Sequence, residues 1–123
     1  MAKKILFVED EPSLQKAISE VLIQEGFEVL SASDGEEGLK ATKEEKPDLI
    51  LLDLILPKKD GFEVLKELKA DEKLKDIPVI VLTNLEGVGD VEKAIELGAT
   101  TYLVKANYKL DDVVTKIKDF LRK

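Results

Sequence analysis

Five polar residues stand where short apolar runs end. Glu9 and Asp10 follow the apolar run at 5–8, Asp53 follows 49–52, Thr83 follows 79–82, and Lys105 follows 102–104. If those runs are buried parallel strands, all five side chains reach the crevice beyond the strand ends, where open α/β sheets carry their chemistry. Three carboxylates converging there repel one another strongly unless a hard divalent cation sits between them. Lys105 supplies a positive charge on a stem that can cross an apolar rim, and Thr83 a hydroxyl that can bond an anionic oxygen. The set reads as a Mg²⁺-assisted site for handling a phosphoryl group. Each member has a plainer reading alone: Asp53 as a turn cap, Glu9 and Asp10 as an acidic helix start, Thr83 as a loop cap, Lys105 as a surface lysine. Only their convergence lifts them above it.

The elements that must position these residues follow from periodicity. Strands are predicted over 4–8, 27–31, 48–53, 77–82 and 100–104. The third is the most apolar, as strands buried on both faces are. Between them apolar residues recur at helical spacing: Leu14, Ala17, Ile18, Val21 and Leu22; Phe62, Val64, Leu65 and Leu68; Val88, Val91, Ala94, Ile95 and Leu97; and, closing the chain, Leu110, Val113, Val114, Ile117, Phe120 and Leu121. Pro12 suits a first helical turn, Gly26 and Gly98 suit helix stops, and Ser33 or Asp34, with Glu37 beyond, suits the cap of the helix that ends before Pro47. Pro57 to Gly61 reads as the loop beside Asp53. Five such βα units imply an α/β, doubly wound, flavodoxin-like three-layer sandwich on a parallel five-stranded sheet of order 2-1-3-4-5, with its crevice between strands one and three.

Composition narrows the function. The 123 residues suit one domain over 1–123, and 44% hydrophobic residues suit a globular core. With no cysteine or histidine, disulfides, thiolate or zinc sites and histidine-activated nucleophiles are excluded. Net charge −7 argues against a nucleic-acid surface. No apolar run approaches the ~20 residues that span a bilayer, and charge interrupts the first run too early for a signal peptide, so no membrane insertion and a cytoplasmic location are expected.

The runs Val8-Glu9-Asp10-Glu11-Pro12, Asp53-Leu54-Ile55-Leu56-Pro57-Lys58-Lys59-Asp60-Gly61, Val81-Leu82-Thr83-Asn84 and Gly98-Ala99-Thr100-Thr101-Tyr102-Leu103-Val104-Lys105 occur in the order of a known family. The whole chain resembles the receiver domain of two-component response regulators, and is similar to the stand-alone chemotaxis-type regulators. The resemblance implies a phosphorylation-controlled signalling switch that accepts a phosphoryl group on Asp53 from a sensor histidine kinase or phosphotransfer protein. It implies Mg²⁺ held by Asp53, by Asp10 directly, by Glu9 through water and by the backbone carbonyl of Ile55. Thr83 and Lys105 would contact the phosphoryl oxygens, with Thr83 and Tyr102 as the switch pair. Self-phosphorylation and autodephosphorylation would be its only catalysis, so it would not count as an enzyme. Output would pass to a downstream protein effector through the surface of helix four, strand five and helix five, near Val88, Tyr102, Lys105 and Tyr108, from a monomer or weak homodimer.

The chain departs from the family pattern at Ala106, where proline usually follows the lysine, so a trans bond is expected after Lys105. Asn84 replaces a small residue and is expected to restrict access to Asp53. Apolar Ile55 and Leu85 lie two residues beyond Asp53 and Thr83, which points to slow self-hydrolysis. The alternative is a phosphate-independent pseudo-receiver acting as a protein-binding module. A phosphohydrolase would carry a second acid where Ile55 stands, and a nucleotide or flavin binder would carry a glycine-rich loop after strand one.

Overall fold

The computed structural model describes residues 2–121; Met1, Arg122 and Lys123, which the expected domain over 1–123 includes, lie outside them. Strands and helices alternate as β1 (Lys4–Val8), α1 (Pro12–Gln24), β2 (Glu28–Ala32), α2 (Gly35–Glu45), β3 (Leu49–Leu52), α3 (Gly61–Ala70), β4 (Val79–Thr83), α4 (Val88–Glu96), β5 (Thr101–Val104) and α5 (Leu110–Leu121). The strands pair in parallel in the order 2-1-3-4-5, as the βα rhythm predicts. No helix among the described residues is long and apolar enough to cross a membrane.

Side chains alternate across the sheet with the two-residue period of a strand. Ile5, Phe7, Leu49, Leu51, Ile80 and Leu82 pack with Ile18 and Leu22 of α1 and Val113, Val114 and Ile117 of α5. Leu6, Val8, Ile50, Leu52, Val79 and Val81 pack with Leu39 of α2, Val64, Leu65 and Leu68 of α3 and Ala94 of α4. Nearly all of these side chains are sealed from solvent. Each full burial contributes about 1.5–3 kcal/mol relative to exposure. That apolar register is what can hold a charged site at one end of the sheet.

The helix ends follow their sequence signals. Pro12 opens α1, Asp34 Oδ1 accepts the Glu37 amide at 2.8 Å, and Gly26 and Gly98 take left-handed φ of 97° and 107°. Asp60 caps α3 in the same way, accepting from the Glu63 amide at 3.0 Å. Four strands differ in extent from expectation. β3 is shorter at both ends, Leu49–Leu52 against 48–53. β2 begins and ends one residue later than 27–31. β4 begins at Val79 because Ile77 donates back to Leu74 at 3.1 Å, inside the preceding turn, and Pro78 has no N–H to give the ladder. β5 begins at Thr101, and Lys105 lies beyond it as the first residue of a 3-10 turn over Lys105–Asn107.

α4 departs furthest from its apolar pattern. Of the stripe Val88, Val91, Ala94, Ile95 and Leu97, only Ala94 is buried; Val88 is 72% and Ile95 47% exposed. Leu97, just past the helix end, is only partly buried against the same core, so little apolar area holds the helix there.

Candidate functional site

Backbone pairing beyond the strand ends builds the crevice. The Glu9 amide donates to Ala32 O at 2.9 Å and the Asp53 amide to Val8 O at 3.1 Å, so β1 and β3 present Glu9, Asp10 and Asp53 side by side. Carboxylate oxygens of all three lie within 4.8 Å of one another. Glu9 and Asp53 are buried, whereas Asp10 is exposed at the mouth. Gln15 of α1, which the sequence reading passed over, seals the edge: its side-chain amide donates to Glu9 O at 2.9 Å and Ala32 O at 3.1 Å. Its signal was a polar side chain on the sheet-facing side of α1, one turn after Pro12.

Lys105 crosses from the far side of the sheet. Its ammonium lies 3.0 Å from Asp53 Oδ2 and 2.8 Å from Glu9 Oε1, though only the first contact has good hydrogen-bond geometry. The other oxygens take backbone donors: the Ile55 amide to Asp53 Oδ1 at 3.2 Å and the Glu11 amide to Glu9 Oε2 at 3.1 Å. Burial pushes the Glu9 carboxyl above the ordinary range; the adjacent Lys105 ammonium opposes this and the Asp53 charge reinforces it. Burial alone would lower the Lys105 ammonium, but its ion pairs with Glu9 and Asp53 outweigh that and hold it above its usual value. One ammonium is therefore shared by two buried acids, with a third at the mouth. No peptide bond among the described residues is cis, so Lys105–Ala106 is trans, and the lysine reaches both acids without proline after it.

Thr83 ends β4 on the α4 side of the sheet. Its hydroxyl is fully buried and has no hydrogen-bond partner. An orphaned buried hydroxyl costs about 1–3 kcal/mol. Tyr102 is half-buried on the same layer and donates to Leu85 O at 2.9 Å. Burial, with the Asp90 and Asp53 charges behind it, raises the phenol's pKa. Asn84, expected to screen Asp53, is exposed. Ile55 is 51% exposed. Tyr108, grouped in the sequence reading with Val88 and Tyr102, packs on the opposite layer. There it lines an apolar cleft of about 100 Å³ with Leu14, Ile18, Lys105, Leu110 and Val113.

The loop after Asp53 is tightly turned. The Lys59 amide donates to Pro57 O at 2.7 Å across Lys58, whose φ is 67°. This is a γ-turn with a left-handed, non-glycine centre, a strained form. Asp34 Oδ2 lies 3.8 Å from the Lys58 ammonium, and Lys59 pairs with Glu67.

An all-oxygen donor set of this kind fits a hard cation such as Mg²⁺. Thr83, as the orphan donor, fits an anionic oxygen near it. Carboxylate nucleophile, fixed ammonium and unused hydroxyl together can accept a phosphoryl group and hold its charge.

A model of the response regulator receiver domain family matches residues 5–118. The alkaline phosphatase synthesis transcriptional regulatory protein PhoP of Bacillus subtilis is 42% identical over the whole chain, which covers 50% of PhoP. The chain spans about half the length of the curated relatives it matches. The BeF₃-activated receiver domain of Klebsiella pneumoniae RstA superposes with a TM-score of 0.89 at 30% identity, over 98% of this chain and 100% of that one. The Mn²⁺-bound form of response regulator Rcp1 superposes with a TM-score of 0.85 at 38% identity, over 97% and 94%.

Proposed function

Since the chain belongs to the response regulator receiver domain family, we propose that it is a phosphorylation-controlled switch whose acceptor is Asp53. The observation that carries the reading is the Lys105 ammonium shared between Asp53 at 3.0 Å and Glu9 at 2.8 Å, inside a cluster of three carboxylates. A structural ion pair needs one acid per ammonium. The surplus negative charge is what a metal-assisted phosphoryl site requires.

The phosphodonor would be a sensor histidine kinase or a phosphotransfer protein. An Asp53 oxygen attacks phosphorus, the donor's bond to phosphorus breaks, and the departing group takes the electron pair. Asp10, Asp53 and the Ile55 carbonyl would hold Mg²⁺, with Glu9 bound through water. When bound, the ion neutralises charge on the transferring oxygens. The RstA receiver described as BeF₃-activated and the Mn²⁺-bound form of Rcp1 support both parts by likeness. Lys105 remains on Asp53 and faces an incoming oxygen. Thr83, whose hydroxyl has no present partner, turns to donate to the phosphoryl group. That movement opens space on the α4 side, into which Tyr102 moves further. The loosely packed α4, with Val88 and Ile95 exposed, shifts in response and alters the surface that a protein effector reads.

Intact-mass spectrometry after incubation with acetyl phosphate and Mg²⁺ tests the reading. One phosphoryl addition is expected, absent in Asp53→Ala and after metal removal. If neither acetyl phosphate nor a cognate kinase adds phosphate, and beryllofluoride does not bind, the chain is a phosphate-independent binding module instead.

A further inference from the structure

The backbone carbonyl of Ile55 can serve as a ligand only if the loop behind it is held still, and the structure shows what holds it. The γ-turn at Pro57–Lys59 lies against the first residue of α2. The Gly35 amide faces Pro57 O at 3.4 Å. A Cβ built on Gly35 would lie 1.8 Å from Lys59 O, 2.6 Å from Lys59 C and 2.8 Å from Lys59 Cβ. Two of these three atoms are main chain, so no rotamer change relieves the overlap. Gly35 has no left-handed φ that would itself require glycine, so contact with this loop is what excludes a side chain there.

We propose that Gly35 is a positioning residue for the metal site: its bare Cα is the seat on which the strained turn at Lys58 rests, and the seat fixes the Ile55 carbonyl beside Asp53. The physical logic is that of a stored strain held by its surroundings. A lysine in the left-handed region is strained and persists only where neighbours enforce it. Here the neighbours are Asp34, 3.8 Å from the Lys58 ammonium, Gly35 beneath Lys59, and the Lys59–Glu67 pair. At the loop's other end the Gly61 amide donates to Leu54 O at 2.9 Å, so the loop is anchored on both sides of its turn. A loop clamped in this way presents its carbonyl without a large ordering cost when the ion arrives. A loop lifted off Gly35 would have to be ordered by the ion itself.

The inference rests on the metal-assisted reading of the site and is tested apart from phosphorylation. Mg²⁺ binding is measured by calorimetry on wild type, Gly35→Ala and Gly38→Ala, with the folded fraction fixed by circular dichroism. Gly38 is the control one turn along α2, where an added Cβ meets only Val8 methyls at 3.0 Å, away from the loop. Gly35→Ala should weaken Mg²⁺ binding by about tenfold or more, the range found when groups that orient metal ligands are lost. Gly38→Ala should lose thermal stability yet bind as wild type does. Wild-type affinity in folded Gly35→Ala overturns the proposal. If Gly35→Ala does not fold, it is combined with Lys58→Gly, which lets the turn step back from the new methyl. A folded double variant with weak Mg²⁺ binding, against Lys58→Gly alone, supports the seat, and one with normal binding overturns it. Wild type that binds Mg²⁺ but takes no phosphoryl group on Asp53 refutes the functional reading while leaving the seat intact.

Discussion

Replacing Lys105 with methionine keeps most of the stem and removes the charge. At an effective dielectric of about 20, an ion pair at 2.8 Å or 3.0 Å is worth about 5–6 kcal/mol before desolvation. Desolvation offsets much of that, since the lysine side chain is only 14% exposed. What the variant leaves behind matters more. Glu9 and Asp53 stay buried, within 4.8 Å of each other, with no counter-charge. Breaking a buried pair in this way costs about 3–5 kcal/mol, and the partly open mouth favours the lower end. Metal-free Lys105→Met should therefore unfold about 3 kcal/mol more easily at neutral pH, a fall in Tm of about 10 °C for a domain of this size. Divalent ion should reverse the deficit, because ion and ammonium compete for the same carboxylates. The variant should bind Mg²⁺ more tightly than wild type, by about tenfold or ~1.4 kcal/mol, while taking phosphoryl groups more slowly. Thermal melts with and without Mg²⁺, calorimetry and a phosphorylation time course read all three. Equal metal-free stability, or weaker Mg²⁺ binding in Lys105→Met, would falsify the view that Lys105 stands in for the ion.

Two further outcomes follow from the same site. Glu9 binds its proton more firmly folded than unfolded, because burial raises it. The stability its protonated form contributes is present at low pH and lost as pH rises through the elevated pKa. Metal-free Glu9→Gln should thus gain stability over wild type as pH climbs across that window, and saturating Mg²⁺ should abolish the gain; denaturant melts across the pH range measure it, and a difference independent of pH would sink the argument. Ile55 is exposed beside Asp53 and offers no polar group to orient an attacking water, so Ile55→Asn should shorten the lifetime of the phosphorylated chain several-fold, as followed by mass spectrometry; an unchanged or longer lifetime counts against it.

Much of the fold was legible because one face-independent signal dominates it. Buried parallel strands are apolar throughout, and the turn residues Pro12, Gly26, Asp34 and Gly98 each mark an element end by its backbone chemistry. The strand-end acids were visible for the same reason: a charge terminating an apolar run stands out. What pattern could not show is contact between segments distant in sequence. Nothing in a Ser-Asp-Gly run says that Lys59, more than twenty residues later, will lie against that glycine. Nor does helical spacing reveal that α4 keeps Val88 and Ile95 in solvent, since an apolar stripe is equally consistent with core and with an exposed face. Tyr102 and Tyr108 sit close in sequence around Lys105, yet Tyr108, beyond the 3-10 turn after β5, packs on the other layer.

The exposed stripe on α4 and the strained charge in the crevice belong to one argument. A switch needs two arrangements separated by a few kcal/mol, so the resting one cannot be over-stabilised. In the crevice that condition is met by leaving one ammonium between two buried acids and one buried hydroxyl without a partner. At the output side it is met by α4, which holds the sheet through Ala94 and is tied to its neighbours by Lys93 over the Phe62 ring at 4.4 Å. The Tyr102 hydroxyl spans the gap between them, bonded to Leu85 just before α4 and carried by the strand that also delivers Lys105. On the proposed reading, neutralising the crevice acts on a helix that little apolar area restrains. Had Val88 and Ile95 been buried, a phosphoryl group would have had to displace about 3–6 kcal/mol of packing from those two side chains before anything at the surface changed.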